Sequence, residues 1–354
     1  LAVVEALLDM GERQEDMLYV GAPNSVEEKL ADRHGLAFAS AASGQLRGKA
    51  PWTVARSLAR LAQGVTQARQ VIADFGAKVV LSTGGYAGAP ALIAARKAGV
   101  PALIYLPDIE PGMTIKLLSR LAQSVAVSFE DVRRFFPPAK VIVTGYPVRK
   151  ALWRGDRVEA RRRLGLPEDG FVLLAFGGSQ GARSINMALA GAAERLAGMA
   201  HVIHMTGSLD FETVSERVRS DVPEALQSRY RVREYLYEEM TDALLAADLV
   251  TARAGASVLG EFPAAGVPAI LAPYPYSGQH QYANARFMER HGAAIIIEDA
   301  LLGSQLADTI ERVLRDEGER HRMAEAMRGL ARPAAARDVA LGLRYLAAAA
   351  GRKR

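Results

Sequence analysis

The sequence predicts an α/β protein built from two doubly wound domains. Three observations carry this expectation. Short apolar runs alternate with helical stretches of roughly 10–15 residues along most of the chain, the pattern of βαβ units feeding parallel sheets. The alternation starts afresh after Gly145-Tyr146-Pro147-Val148-Arg149, with a new apolar run at Phe171-Val172-Leu173-Leu174-Ala175-Phe176. The glycine-rich motifs fall just behind these runs, where a doubly wound fold gathers its ligand-binding loops.

The elements follow in order. The chain opens on Leu1 with a helix-like run, Ala2 to Leu8, where an α/β domain ordinarily opens with a strand, so an earlier strand is expected to be missing from the sequence. Strands are expected over 17–20, 79–82, 102–105, 125–127 and 141–143, and helices over 53–75, 91–97 and 115–121. The second series places strands at 171–176, 202–205, 249–250, 269–272 and 294–297. An Ala/Arg-rich helix over 337–350 closes the chain. The expected division is a first domain over 1–148, a second over 149–336 and a C-terminal helix, 337–354, packing back towards the first.

Composition bounds the function. A chain of 354 residues, half of them apolar, is globular rather than disordered. It has no cysteine, which excludes a disulfide framework and a thiolate-ligated metal. No apolar run approaches the roughly 18 residues that span a bilayer. The net charge of +5 is compatible with an acidic substrate, an anionic membrane surface or nucleic acid, and by itself selects none of them.

Three motifs of the second half carry candidate chemistry. Phe176-Gly177-Gly178-Ser179-Gln180-Gly181-Ala182-Arg183 follows a buried strand and opens a helix. Glycines there let the backbone approach a ligand, and a helix N-terminus offers N–H groups and positive dipole, which suits a pyrophosphate. A tight turn that binds nothing has the same appearance. Arg253-Ala254-Gly255-Ala256-Ser257-Val258-Leu259-Gly260-Glu261 combines small residues with a carboxylate entering the next helix. Glu261 is placed either to accept both hydroxyls of a ribose or simply to complement a helix dipole. In Ser277-Gly278-Gln279-His280-Gln281-Tyr282-Ala283-Asn284, the amides of Gln281 and Asn284 share a helix face and suit sugar hydroxyls or a phosphate. His280 is either a general acid–base group or a surface histidine.

The first half adds Thr83-Gly84-Gly85-Tyr86-Ala87-Gly88-Ala89-Pro90 and Tyr105-Leu106-Pro107-Asp108, expected as neighbouring loops. Asp108 stands where catalytic acids stand, and equally where turn aspartates do. A nicotinamide dehydrogenase is disfavoured, because no Gly-x-Gly-x-x-Gly with a downstream acid is present.

Taken together and in this order, these motifs resemble the MurG family of UDP-N-acetylglucosamine-dependent transferases. The resemblance covers nearly the whole chain: Gly177 to Asn186, Arg253 to Glu261 with Ala264-Ala265-Gly266-Val267-Pro268, His280-Gln281 with Asn284-Ala285, and Thr83 to Pro90. It implies a GT-B fold, two Rossmann-like domains facing a cleft. It also implies inverting transfer of N-acetylglucosamine to the 4-hydroxyl of a lipid-linked N-acetylmuramyl-peptide, without cofactor or metal. Arg149, Ser179, Gln281 and the segment Ala256, Ser257, Val258, Leu259, Gly260 and Glu261 would bind the donor. Tyr237 would offer its backbone to uracil, and Gly85, Tyr86, Gly177, Gly178, Gln180, His280 and Asn284 would make further contacts. Asp108 falls where the family usually has asparagine, and the stretch before it departs from the family pattern. The family's N-terminal glycine loop, with its histidine, has no counterpart here, so low transfer activity is expected of the chain as it stands. The resemblance further implies a peripheral protein at the cytoplasmic side of the bacterial plasma membrane, with no nucleic-acid partner. Arg47, Lys49 and Trp52, ahead of Val54, Leu58, Leu61 and Val65, form the candidate contact with an anionic surface. Two other readings stand beside this one: a related glycolipid glycosyltransferase, and a non-catalytic UDP-sugar-binding protein.

Overall fold

A computed structural model describes residues 1–23, 25–42, 51–178, 181–276 and 280–351. Among these residues all strand pairing is parallel. Strands β1 (Leu18–Gly21) and β2 (Ala37–Ser40) form a pair. Strands β3 (Val80–Ser82), β4 (Ala102–Leu106), β5 (Ser124–Val127) and β6 (Val141–Val143) form a sheet in that order. Strands β7 (Phe171–Phe176), β8 (Ala200–Met205), β9 (Tyr230–Arg233), β10 (Leu249–Ala252), β11 (Ala269–Leu271) and β12 (Ala294–Ile296) form a third, ordered β12-β11-β10-β7-β8-β9. The chain divides into two compact units, Leu1–Pro147 with Ala334–Arg354, and Val148–Pro333.

In the second unit the central strands are apolar on both faces, as strands covered by helices on each side must be. Val172 to Ala175 and Leu249 to Ala252 are buried throughout. Ile185 and Leu189 from helix Arg183–Gly191, and Leu306, Ile310 and Val313 from helix Leu302–Arg315, join Leu173 and Leu249 in one core. Leu306, Ile310 and Val313 recur at helical spacing, which turns one face of that helix inward.

In the first unit, Val339, Leu343 and Leu346 of helix Ala335–Gly351 pack on Leu103, Tyr105 and Ala126. Helix Pro51–Phe75 contributes Ala68 and Ile72, with Val65 beside them, to a core shared with Ala94 and Ala95 of helix Gly85–Ala98. Val65 is therefore a packing residue, and Trp52 lies inside the helix rather than in a loop before it. Arg47 and Lys49 lie outside the described residues.

Two strands depart from the sequence expectation. β2 is Ala37-Phe38-Ala39-Ser40, too small and mixed to stand out as an apolar run. β9 carries Arg231 and Arg233 and lies at the sheet edge, where alternating charge is tolerated. Helix Gly85–Ala98 begins six residues ahead of the expected 91, because Gly84, at φ +80°, turns the chain straight from β3 into the helix and Pro90 is accommodated within it.

Candidate functional site

The order of the six-stranded sheet locates the site. From β7 the chain moves outward through β8 and β9, then returns to the other side of β7 and moves outward again through β10, β11 and β12. β7 and β10 are therefore neighbours whose following connections run in opposite directions. Phe176 pairs with Ala252 at their shared carboxyl end. Such a switch point leaves a crevice between the two departing loops, which is where doubly wound sheets hold ligands.

The loop after β7 is shaped by glycine. Gly178 has φ +92° and Gly181 φ +78°, backbone that other residues rarely adopt. A Cβ on Gly181 would stand 2.1 Å from the Thr206 carbonyl oxygen, so this loop lies directly against the one after β8. No side chain caps helix Arg183–Gly191 at Ala182, which leaves its first N–H groups directed at the loop. Gly177 and Gly178 are within the described residues, whereas Ser179 and Gln180 lie outside them.

Beneath this loop runs a buried polar chain. Asn186 donates from Nδ2 to the Thr206 carbonyl and to Asp210 Oδ2, both at 2.9 Å. Its Oδ1 lies 3.1 Å from His204 Nε2, and His204 Nδ1 lies 3.1 Å from the Tyr230 hydroxyl. With both Asn186 amide hydrogens committed, Oδ1 is left to accept, which assigns the proton of His204 to Nε2 and makes Tyr230 a donor to Nδ1. Burial pushes the His204 pKa down from 6.5 to about 3, against the opposing pull of Asp210, so the imidazole is neutral. Arg183 closes the chain with a 2.6 Å ion pair to Asp210.

The loop after β10 is anchored by Arg253. Its guanidinium donates to the Ala272 carbonyl at 3.0 Å, to Ser184 Oγ at 2.8 Å and to Asp299 at 2.5 Å, and it lies over the Tyr274 ring. Ser184 also donates to Asp299, at 2.6 Å. One arginine thus ties the ends of β10 and β11 to helix Arg183–Gly191, by the multi-donor geometry that lysine lacks. The chain then makes a 3₁₀ turn over Ala256–Leu259, which buries Val258, Leu259 and Gly260 and leaves Ala256 and Ser257 part-exposed, and Glu261 begins the next short helix.

Glu261 is partly exposed in a small recess with Val148, Arg149, Leu152, Met240, Thr241 and Leu244. Burial raises its pKa and the nearby Arg149 charge opposes the rise. Arg149 Nη2 reaches Thr241 Oγ1 at 3.5 Å. The recess therefore offers an anionic acceptor and a cationic donor side by side.

Gln281, near the start of helix His280–Arg290, accepts from the Tyr274 backbone N–H at 2.8 Å. Asn284 is fully buried and donates to the Ala254 carbonyl at 3.1 Å, bracing the loop after β10 from below. His280 opens the helix, part-exposed. Tyr237, on the connection after β9, is 64 % exposed, with its ring 4.5 Å from that of Tyr235.

In the first unit Asp108 is part-exposed just beyond β4. Gly85 and Tyr86 form the first turn of helix Gly85–Ala98. A Cβ on Gly84 would meet Ile115 Cγ1 at 2.6 Å, so the loop after β3 lies directly against helix Met113–Leu118, which follows β4.

Sequence reasoning singled out the glycines, Glu261 and Gln281 but missed His204, Asp210 and Asp299. The available signal was polar residues in or beside apolar strands, since a histidine within Val202-Ile203-His204-Met205 must find partners once buried.

Residues 172–339 match the glycosyltransferase family 28 C-terminal domain, and residues 1–127 match the family 28 N-terminal domain. A Roseiflexus protein named UDP-N-acetylglucosamine–N-acetylmuramyl-(pentapeptide) pyrophosphoryl-undecaprenol N-acetylglucosamine transferase is 39% identical, over 93% of this chain and 83% of its own length. A Moorella thermoacetica protein of the same name is 36% identical, over 90% of this chain and 88% of its own. The crystal structure of Acinetobacter baumannii MurG superimposes with a TM-score of 0.72 at 25% identity, covering 97% of this chain and 94% of that one.

Proposed function

The chain belongs to glycosyltransferase family 28, and from that premise we infer that it transfers N-acetylglucosamine from UDP-N-acetylglucosamine to the lipid-linked N-acetylmuramyl-peptide, forming lipid II in peptidoglycan synthesis. The observation that carries this reading is the near full-length similarity to relatives named for that reaction, in a chain whose glycine loops flank the sheet's switch point.

The donor-side assignment is our proposal. Glu261 accepts the ribose hydroxyls as a carboxylate, and the turn of Ala256, Ser257, Val258, Leu259 and Gly260 supports the nucleoside. The Tyr237 backbone contacts uracil. Gly177, Gly178, Ser179, Gln180 and the first N–H groups of helix Arg183–Gly191 hold the pyrophosphate, with Arg149 as its cation. Gln281 and His280 face the sugar, while Asn284 braces the loop after β10. In the reaction the acceptor 4-hydroxyl attacks the anomeric carbon opposite the leaving UDP, and the carbon–oxygen bond to the β-phosphate breaks. The hydroxyl proton passes to a base, for which Asp108 is the candidate, with Gly85 and Tyr86 on the same acceptor side. Charge gathering on UDP meets fixed N–H donors, and groups of this kind are worth roughly 3–4 kcal/mol each when removed.

No helix among the described residues is long and apolar enough to cross a membrane. We propose peripheral attachment to an anionic bilayer at the cytoplasmic face, since the acceptor is lipid-linked. Met113 and Leu117, 88% and 63% exposed on one face of helix Met113–Leu118 next to Lys116, support this alongside Arg47, Lys49 and Trp52.

The test is transfer of radiolabelled N-acetylglucosamine from its UDP donor to a lipid-linked N-acetylmuramyl-peptide and, separately, to diacylglycerol. Label in the muramyl product alone is expected. Label in diacylglycerol alone, or donor turnover with label in neither, would overturn the assignment.

A further inference from the structure

The buried polar chain beneath the glycine loop is more elaborate than a turn requires. It begins at Tyr230 on β9, crosses β8 through His204, passes through Asn186 in helix Arg183–Gly191 and ends at Asp210 and Arg183. Asn186, His204 and Thr206 are fully buried, and Asp210 nearly so. The same Thr206 carbonyl that accepts from Asn186 is the atom against which Gly181 packs without room for a Cβ. The path of the glycine loop is therefore set by where Thr206 stands, and Thr206 is held on one side by the Arg233 carbonyl of β9 and on the other, through its own carbonyl, by Asn186.

A second feature concerns charge. Asp210 is a buried acid close to the helix N-terminus at which a pyrophosphate would bind, a placement that is electrostatically adverse for anion binding. Arg183, the first residue of that helix, neutralises it while remaining 72 % exposed. Asp210 accepts from Asn186 through one oxygen and from Arg183 through the other. The first turn of the helix is thus tied at Arg183 and at Asn186 to one carboxylate.

We propose that Asp210, acting through Asn186 and Thr206, is a positioning residue for the donor's pyrophosphate: it fixes the turn at Gly181 and the start of the following helix so that the helix's first N–H groups converge on the phosphates. Asp210 itself does not touch substrate. This rests on the reading that the glycine loop holds the pyrophosphate of a UDP-sugar, and the consequence is specific. The phosphates should depend on the network more than the nucleoside does, because Glu261 and the turn before it follow β10, where Arg253 is held by the Ala272 carbonyl and Asp299 as well as by Ser184 of the helix.

The experiment compares UDP with uridine by titration calorimetry or competition. The parent should bind UDP more tightly than uridine. Asp210→Ala should weaken UDP by at least roughly tenfold, the size of one lost hydrogen bond to a charged group, and leave uridine within about twofold. Asp210→Asn keeps one acceptor, enough for Asn186 but not for Arg183 as well, and should recover part of the parent's UDP-to-uridine ratio. A folded Asp210→Ala variant with the parent's ratio overturns the proposal, as does equal loss of both ligands. If Asp210→Ala does not fold, hydrogen exchange on the unaltered protein decides: UDP, but not uridine, should slow exchange in residues 205–210 together with 181–186, and protection of 181–186 alone overturns it. A parent that shows no preference for UDP over uridine refutes the placement of the pyrophosphate itself, a result distinct from failure of the network.

Discussion

Replacing Glu261 with Gln tests the donor site where its physics is most exposed. The carboxylate is partly buried, its pKa is raised by that burial, and Arg149 opposes the rise. In the ligand-free protein the ionised form is thus held at a cost, which ribose hydroxyls would relieve by donating to it. Gln keeps the shape and one acceptor but removes the charge. Hydrogen bonds to charged groups are worth about 1.5–3 kcal/mol, so UDP affinity should fall roughly 10–150-fold. Calorimetry with UDP and with 2′,3′-dideoxy-UDP isolates the interaction: the dideoxy ligand should bind parent and variant almost equally, because the partner of Glu261 is already gone. The pH dependence has a definite sign. A carboxyl with a raised folded pKa stabilises the folded state most below the ordinary value near 4.5 and loses that contribution as pH rises through the raised value. Glu261→Gln should therefore melt no lower than the parent at neutral pH while binding UDP worse. In the parent, UDP binding should weaken as pH falls through the raised value, with proton release on binding. Unchanged UDP affinity, or a dideoxy ligand that suffers the same loss as UDP on substitution, would refute the reasoning.

Two further outcomes are expected. His204 is neutral when folded, with a pKa near 3, so below pH 6.5 only the unfolded chain takes up its proton. Stability should then fall by up to about 1.4 kcal/mol per pH unit from this group, and His204→Gln should flatten the slope of denaturant-measured stability above the carboxylate range; an unchanged slope would show the histidine is not buried neutral. For the membrane, co-sedimentation with anionic vesicles should be salt-sensitive and reduced both in Met113→Ser/Leu117→Ser and in Arg47→Ser/Lys49→Ser/Trp52→Ser, each basic residue contributing roughly 1 kcal/mol; folded variants that sediment like the parent at low and high salt would assign the contact elsewhere.

What the sequence made legible, and what it concealed, follows from the range of the interactions. Gly178 and Gly181 announce themselves because the backbone they need is local: a positive φ is a property of one residue. β7 and β10 are legible because strands buried on both faces are apolar without interruption. β9 was hidden by the arginines that its edge position permits, and Pro90 disguised a helix as a loop. The polar chain under the glycine loop is of another kind. Asn186 meets His204 only because β8 lies beside β7 in the register that sets Ala175 opposite His204. Arg253 meets Asp299 across 46 residues only because β11 pairs with both β10 and β12, which sets the end of β12 two strands from the end of β10. Neither pairing has a signature in spacing, since a one-residue slip of register would turn His204 to the opposite face and leave Asn186 unsatisfied. The cost of such a slip, an orphaned buried amide and imidazole, is what makes these pairings specify the register they depend on. The residues that shape the glycine loop are thus also residues that fix the sheet beneath it, and a substitution among them is expected to be read out in ligand affinity before it is read out in the fold.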